Sequence, residues 1–128
     1  MNWSKLSRAA GVVALAVTVA ALVGAQPANA DITVDSAVCL SLATGSLTST
    51  NPVIIQEGVP ATVEWHSTIN WQYCSAANGN LTLLLDNTVL FNHISRPDSS
   101  TLVFNRGTLR LRLQTSLGQK DLAWLQIT

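Results

Sequence analysis

The strongest structural constraint in this chain is a run of ten residues, Thr108–Leu117, in which apolar and polar side chains alternate. Leu109, Leu111 and Leu113 occupy every second position, and threonine, arginine and glutamine stand between them. A helix would spread these leucines around its axis, whereas a β-strand places them on one face. The run therefore predicts a strand with one buried face, followed by a turn at Gly118-Gln119.

The chain after residue 30 repeats this pattern in shorter segments, with turn residues about every eight to twelve positions. In Ala61–Ser67, Val63 and Trp65 share one face, while Glu64 and His66 lie on the other. Asn78-Gly79 and Asp86-Asn87 are predicted as turns. The other predicted strands are Ile32–Leu40, Val53–Gln56, Asn70–Ser75, Leu81–Leu85, Thr88–His93, Thr101–Phe104 and Lys120–Thr128. Thr44–Asn51, which ends before Pro52, is predicted as a loop or a frayed edge, and Ser95–Ser99 is predicted as a loop.

About eight short strands without a long apolar run predict an all-β fold, an antiparallel sandwich of two sheets. The alternative is a small barrel of the oligonucleotide-binding type. That class usually carries a basic, aromatic binding face, which this sequence does not show. The sandwich is therefore the preferred prediction.

The segment Gly58–Ser75 resembles the region from strand B to strand C of bacterial immunoglobulin-like domains. In that family an apolar strand ends in Trp-x-Ser-Thr-x-Asn before a cysteine, and here Trp65 begins this motif and Cys74 follows it. The closing hairpin after Thr108 is similar as well. The resemblance implies an immunoglobulin-like sandwich of seven or eight strands with Trp65 packed between the sheets. It implies no ligand, because fold does not fix function.

Residues 1–30 have the features of a cleaved export signal. Lys5 and Arg8 precede the uncharged apolar stretch Ala9–Ala25, and Ala28-Asn29-Ala30 is a cleavage tripeptide. A retained membrane anchor is the weaker alternative, because an apolar run of about 17 residues is barely long enough to cross a bilayer. We therefore predict an exported domain at 31–128, secreted or periplasmic, with no membrane span after cleavage.

The charge balance excludes one class of partner. The whole chain has seven Lys and Arg against seven Asp and Glu, and residues 31–128 have five against seven, a formal charge of −2. General nucleic-acid binding requires a clustered excess of basic residues. Nucleic acid is therefore not an expected partner.

The two cysteines, Cys39 and Cys74, are predicted to form a disulfide, because exported thiols are usually oxidised. The alternative is a catalytic thiol paired with His66 or His93. Glu64, His66 and His93 are also weak candidates for metal ligands, since zinc needs three or four converging donors. The sequence contains no G-x-S-x-G motif, and we expect neither catalysis nor a cofactor.

Three aromatic residues, Trp71, Tyr73 and Trp124, exceed what one core tryptophan position requires. They form a candidate binding surface if they are exposed, and a second part of the core if they are buried. Trp124 is the best candidate for exposure, because its neighbours Ala123 and Leu125 are predicted to point inward.

Arg110 and Arg112 lie on the polar face of the alternating strand and extend the candidate surface. They could bind an anionic partner, or they could be solvated and paired with an acid such as Asp121 or Glu64.

The leading hypothesis is a small, exported, non-catalytic binding protein that contacts a surface protein or glycan. One alternative is a minimal secreted hydrolase or metal-binding protein that uses Glu64 and His66. The other alternative is a secreted structural protein that assembles with itself.

Overall fold

The computed structural model describes residues 28–128. Asp35–Thr128 form one compact unit. The helices are α1 (Ala28–Leu42) and α2 (Trp71–Ala76), and the strands are β1 (Thr44–Asn51), β2 (Pro60–Thr68), β3 (Asn80–Leu85), β4 (Thr88–Phe91), β5 (Asp98–Val103), β6 (Gly107–Thr115) and β7 (Gly118–Ile127).

The strands form two antiparallel sheets, one with the order β1-β2-β5 and one with the order β4-β3-β6-β7. In the immunoglobulin scheme β1, β2 and β5 take the positions of strands A, B and E, and β3, β6 and β7 those of C, F and G. The fourth strand pairs with β3 at the edge of the second sheet. This strand order confirms the predicted all-β, immunoglobulin-like antiparallel sandwich, with seven strands in residues 28–128.

The core depends on the alternating strand that the sequence indicated. Leu109, Leu111 and Leu113 of β6 are fully buried. They lie directly opposite Leu85, Leu83 and Leu81 of β3, respectively, so three leucine pairs stand in register on the inner face of this sheet. Trp65 on β2 is 3% exposed in the same core, and its ring centroid lies 5.3 Å from that of Phe91.

The predicted two-residue hairpin at Asp86-Asn87 is present between β3 and β4, with Asp86 at φ 51°. An acidic side chain tolerates this left-handed backbone better than most residues. The turn between β6 and β7 differs from the prediction, because it consists of Ser116 and Leu117 rather than Gly118-Gln119. Leu117 is consequently 58% exposed and does not extend the buried face of β6.

The prediction of a strand at Ile32–Leu40 is wrong, because this segment lies in helix α1. Ser36 and Cys39 of this helix, and Ala43 directly after it, are buried at spacings of three and four residues, which is the periodicity of one helix face. The β-branched residues at the start of the segment suggested a strand. Lys120 Nζ also donates to the backbone oxygens of Leu40 and Ala43, at 2.9 Å each, and so satisfies carbonyls at the end of the helix.

The prediction of a strand at Asn70–Ser75 is also wrong, because the chain forms the short helix α2 there. The side chain of Asn70 caps this helix by accepting a hydrogen bond from the N–H of Gln72 at 3.1 Å. Asn78 follows the helix at φ 58°, in the predicted turn.

Thr44–Asn51, predicted as a loop or a frayed edge, is the edge strand β1, which pairs with β2 over most of its length. Only Leu47 is buried in it, so no alternation of apolar residues marks the strand. The predicted strand Val53–Gln56 is reduced to an isolated bridge between Ile55 and Ile127. The predicted loop Ser95–Ser99 ends sooner than expected, because β5 begins at Asp98.

The predicted disulfide between Cys39 and Cys74 is confirmed, and both residues are fully buried. The bond joins α1 to α2 across 35 positions of sequence. In the loop-entropy treatment, closing a loop of this length destabilises the unfolded chain by about 3–4 kcal/mol. The bridge thus supports a domain whose core is small.

We expect the double substitution of Cys39 and Cys74 by alanine to lower the free energy of unfolding by about 3–4 kcal/mol. Urea unfolding followed by tryptophan fluorescence measures this loss. Reduction of the native protein should reproduce most of it. An unfolding midpoint that is unchanged in both experiments would contradict the prediction.

Gly45 on β1 marks a close approach between the two sheets. A Cβ atom at this position would lie 3.0 Å from the Cβ of Leu122 and 3.1 Å from a methyl group of Leu111, both in the opposite sheet. We expect Gly45→Ala to destabilise the protein by about 1–3 kcal/mol through overpacking. The control is Ser46→Ala on the exposed face of the same strand, whose midpoint in the same urea experiment should stay close to that of the native protein.

Candidate binding surface

The outward face of the four-stranded sheet carries one row of side chains that crosses all four strands. Val89 on β4 lies opposite Leu84 on β3, Leu84 lies opposite Arg110 on β6, and Arg110 lies opposite Trp124 on β7. The neighbours of these residues along β3 and β6 are the core leucines, so the row must face outward. We call these four residues the Trp124 row.

Trp124 is the most exposed of the three tryptophans in residues 28–128. It is 65% exposed, compared with 38% for Trp71 and 3% for Trp65. Val89 is 51% exposed at the other end of the row, whereas Leu84 between them is only 5% exposed. The row therefore presents an indole ring and an aliphatic side chain to solvent, with a covered leucine between them.

Asp121 positions both arginines of the candidate surface. Its carboxylate accepts a hydrogen bond from Arg112 Nε at 2.7 Å and lies 3.4 Å from Arg110 Nε. The hydrogen bond to Asp121 raises the pKa of Arg112 above its usual range, against the opposing effect of burial. Arg112 is the more covered of the two, with 18% of its side chain exposed, against 33% for Arg110. The two arginines and Asp121 together give this part of the face a net charge of +1. Arg110 is the more accessible of the two positive side chains.

Polar pairs lie on both sides of the Trp124 row. Thr108 donates to Gln126 at 3.1 Å, and Gln114 donates to Gln119 at 3.3 Å. An apolar and aromatic centre with a polar border is the usual anatomy of a protein interface. The sheet face thus has the composition of a binding surface.

Trp71 and Tyr73 do not join this face, because both lie on helix α2. Trp71 lines a groove of about 440 Å³ together with Asn80 and His93. Tyr73 is half-buried and packs against the core. The candidate surface predicted from the sequence therefore combined residues that lie on two separate surfaces of the protein.

The weak metal-ligand candidates are spread over two elements. Glu64 and His66 lie on β2, whereas His93 follows β4 at φ 53°. Within residues 28–128 no group of three or more His, Cys, Asp or Glu side chains is arranged to hold a metal ion. Since Cys39 and Cys74 are bonded to each other, neither is a free thiol that could pair with a histidine.

Leu84 and Val89 were missed by sequence reasoning, although a signal for them exists. The two-residue turn at Asp86-Asn87 fixes the register of the hairpin and brings these two residues opposite each other. Asn80 and Ser95, which line the same groove as Trp71, were missed as well, and no sequence pattern marks them because they come from separate segments of the chain.

The fold and this surface define a small immunoglobulin-like domain with an aromatic and cationic sheet face. No protein-family model and no curated protein match the chain. Among solved structures, it is similar to the CARDB domain of a Pyrococcus furiosus protein determined by solution NMR, with 10% sequence identity and a TM-score of 0.35 over 67% of this chain and 94% of that one. The fold assignment rests on the strand order and not on this distant similarity. Neither helix in residues 28–128 is long and apolar enough to cross a membrane.

Removal of the Asp121 carboxylate tests whether its pairing with Arg110 and Arg112 stabilises the protein. We expect Asp121→Asn to lower the free energy of unfolding by about 0.5–1.5 kcal/mol, because it leaves two neighbouring arginines without their shared partner. The loss should shrink in 1 M salt, where the repulsion between them is screened.

The matched control is Glu57→Gln, which removes the exposed Glu57–Arg106 pair at 3.9 Å. An exposed pair at that distance should contribute nothing measurable to chemical unfolding. If the two substitutions had equal effects, Asp121 would not have the role assigned here.

Proposed function

We propose that this chain is a small, exported, non-catalytic binding protein. Its ligand is a surface protein or glycan, which it contacts through the Trp124 row. The observation that carries the proposal is the position of Trp124, which is 65% exposed on the edge strand β7 and in register with Arg110 on the neighbouring strand β6. Tryptophan and arginine are the residues most enriched where binding energy is concentrated.

The physical argument is that the fold does not need an exposed indole at this position. The inner face of β7 supplies Ile127 to the core, whereas Trp124 adds an apolar surface that stays in contact with water. Covering such a surface with a partner removes apolar area from water, which favours binding. Arg110 beside it adds a fork of N–H donors that fits a carboxylate on the partner.

Export is part of the same proposal. Its sequence basis, the signal peptide at residues 1–30, lies mostly outside the described residues, which begin at Ala28. The Cys39–Cys74 disulfide supports export, because such bonds persist in oxidising compartments. The proposed mature domain starts at Asp31, within helix α1.

The Trp124 row is tested by quantitative binding of the purified protein to two separate preparations, surface polysaccharide and surface protein of the producing cells. We expect Trp124→Ala to weaken binding to one of them by about tenfold or more, as for a residue at an interface centre. Arg110→Gln should weaken the same interaction and reduce its salt dependence.

The matched control is Leu117→Ala, which removes another exposed apolar side chain from the turn between β6 and β7. It should bind like the native protein. If Trp124→Ala and Leu117→Ala both bind both preparations as the native protein does, the Trp124 row is not the binding surface.

A further inference from the structure

The edge strands of the two sheets differ in how regularly they pair. β1 and β5 are the edges of the three-stranded sheet, and β4 and β7 are those of the four-stranded sheet. An extra residue interrupts the pairing of three of them, namely Thr50 in β1, Leu90 in β4 and Leu122 in β7. Such bulges protect an edge strand against pairing with another chain. β5 has none, because Asp98–Val103 pair with β2 residue by residue.

β5 also lacks the side chains that usually protect an edge. Charged residues and proline serve this purpose in many proteins. In β5 only the first residue, Asp98, is charged, and Ser99–Phe104 contain neither proline nor glycine. Leu102 packs against the core, and the residues on either side of it are exposed. β5 is therefore the edge strand of residues 28–128 that is most open to an added strand.

The hydrogen-bonding groups of alternate residues in β5 point away from β2. Phe104, just after the strand, accepts a hydrogen bond from the N–H of Gly58 on the β2 side, at 3.1 Å. Val103 before it lies opposite Pro60, which has no N–H to donate. An antiparallel strand directs the N–H and C=O of every second residue to the same side. The free edge therefore presents the groups of Ser99, Thr101 and Val103. No strand of the described part of the chain lies on that side.

The end and the centre of this edge differ in their own hydrogen bonds. At the end, the N–H of Ser99 donates to the carboxylate of Asp98 at 2.8 Å, as expected for a group that points away from β2. At the centre, the hydroxyl of Thr101 shares a hydrogen bond of 2.7 Å with that of Thr62 on β2. This bond occupies the side chain and leaves the backbone N–H and C=O of Thr101 directed at the free edge. The backbone of Thr101 is therefore the central point at which another strand can pair.

We propose that two copies of this chain pair through β5 and form a dimer about a twofold axis at Thr101. The two strands run antiparallel, so the two three-stranded sheets become one sheet of six strands. In this register Thr101 lies opposite the same residue of the second copy, and Ser99 lies opposite Val103. Every residue that points to the free edge then exchanges hydrogen bonds with the other copy. A twofold axis at Ser99 or Val103 would leave part of the edge unpaired.

The side chains and charges of β5 suit a second copy as the partner. Two threonines directly opposite each other are a favourable pair in antiparallel sheets. The axis keeps the Asp98 carboxylates of the two copies about 20 Å apart, since each is three residues from the axis. The bulges in β1, β4 and β7 disfavour further strand pairing, so the assembly ends at the dimer.

The dimer leaves the Trp124 row free, because β5 belongs to the other sheet. Each dimer then presents two such rows, and binding to a surface that repeats its ligand would gain from avidity. The dimer itself does not depend on the function of the row. Trp124→Ala should therefore leave the dimer unchanged, so the two proposals can fail separately.

Sedimentation equilibrium of the purified protein tests the dimer. We expect the weight-average mass to rise from that of one chain towards that of two, with a dissociation constant of about 10 µM to 1 mM, because so short a strand buries little apolar area. Amide hydrogen exchange at low and high protein concentration supplies a second measurement. The amides of Thr101 and Val103 should gain protection as the concentration rises, whereas those of Ser100 and Leu102, which face β2, should not change.

Two substitutions at Thr101 test the backbone contact. Thr101→Pro removes an N–H that β2 does not use, so the monomer should stay folded while the dimer weakens by about tenfold or more. Thr101→Val retains the N–H and a β-branched side chain, and it should dimerise within about twofold of the native protein. Circular dichroism of both variants checks that they are folded.

A pair of charge variants tests the register. Thr101→Lys and Thr101→Glu each place like charges opposite each other at the axis, so each should dimerise about two- to tenfold more weakly than the native protein. Mixed in equal amounts, the two variants should form a heterodimer in which lysine faces glutamate. This result does not depend on the folding of the proline variant. Thr48→Lys, at an exposed position of β1 in the same sheet, is the matched control and should dimerise normally.

Several results would overturn the proposal. They are a protein that stays monomeric up to about 1 mM, a folded Thr101→Pro variant that dimerises like the native protein, and the absence of a heterodimer from the mixed charge variants. Loss of the dimer in Trp124→Ala would assign self-association to the Trp124 row instead. A monomeric protein that binds a peptide of residues 97–105 would assign the β5 edge to a strand of another protein.

Discussion

The three leucine pairs between β3 and β6 are the contact on which the rest of the structure depends. Because Leu81, Leu83 and Leu85 lie opposite the three leucines of β6, only one register between β3 and β6 buries all six side chains. A shift by one position would turn these leucines to solvent and bring arginines into the core. The same register forces Arg110 outward between Leu84 and Trp124, so the candidate surface is a consequence of core packing.

Long-range bonds complete the sandwich at α1. Lys120 reaches from β7 to the carbonyls at the end of this helix, and the disulfide ties the helix to α2. Asp121, the next residue on β7, holds the two arginines on the outward face. One short stretch of β7 thus fixes both a helix terminus and the charges of the binding surface. This is why we expect Asp121→Asn to alter stability as well as the surface.

The sequence predicted those parts of the fold that depend on strong local alternation. β2 and β6, the inward Trp65 and the turn at Asp86-Asn87 follow from side-chain period and turn preference. The two helices could not be predicted in this way, because their buried positions include Ser36 and two bonded cysteines rather than an apolar stripe. The groove beside Trp71 could not be predicted from the sequence either, since its lining residues come from distant segments of the chain.

The charge of the Trp124 row bears on the kind of partner that it can accept. A second copy of this chain, docked face to face about a twofold axis, would bring together two surfaces on which Arg110, Arg112 and Asp121 each time give a net charge of +1. Like charges brought together in a desolvated interface are costly. A partner that offers a carboxylate near an apolar contact meets no such penalty. The row is therefore better suited to an acidic partner than to self-association.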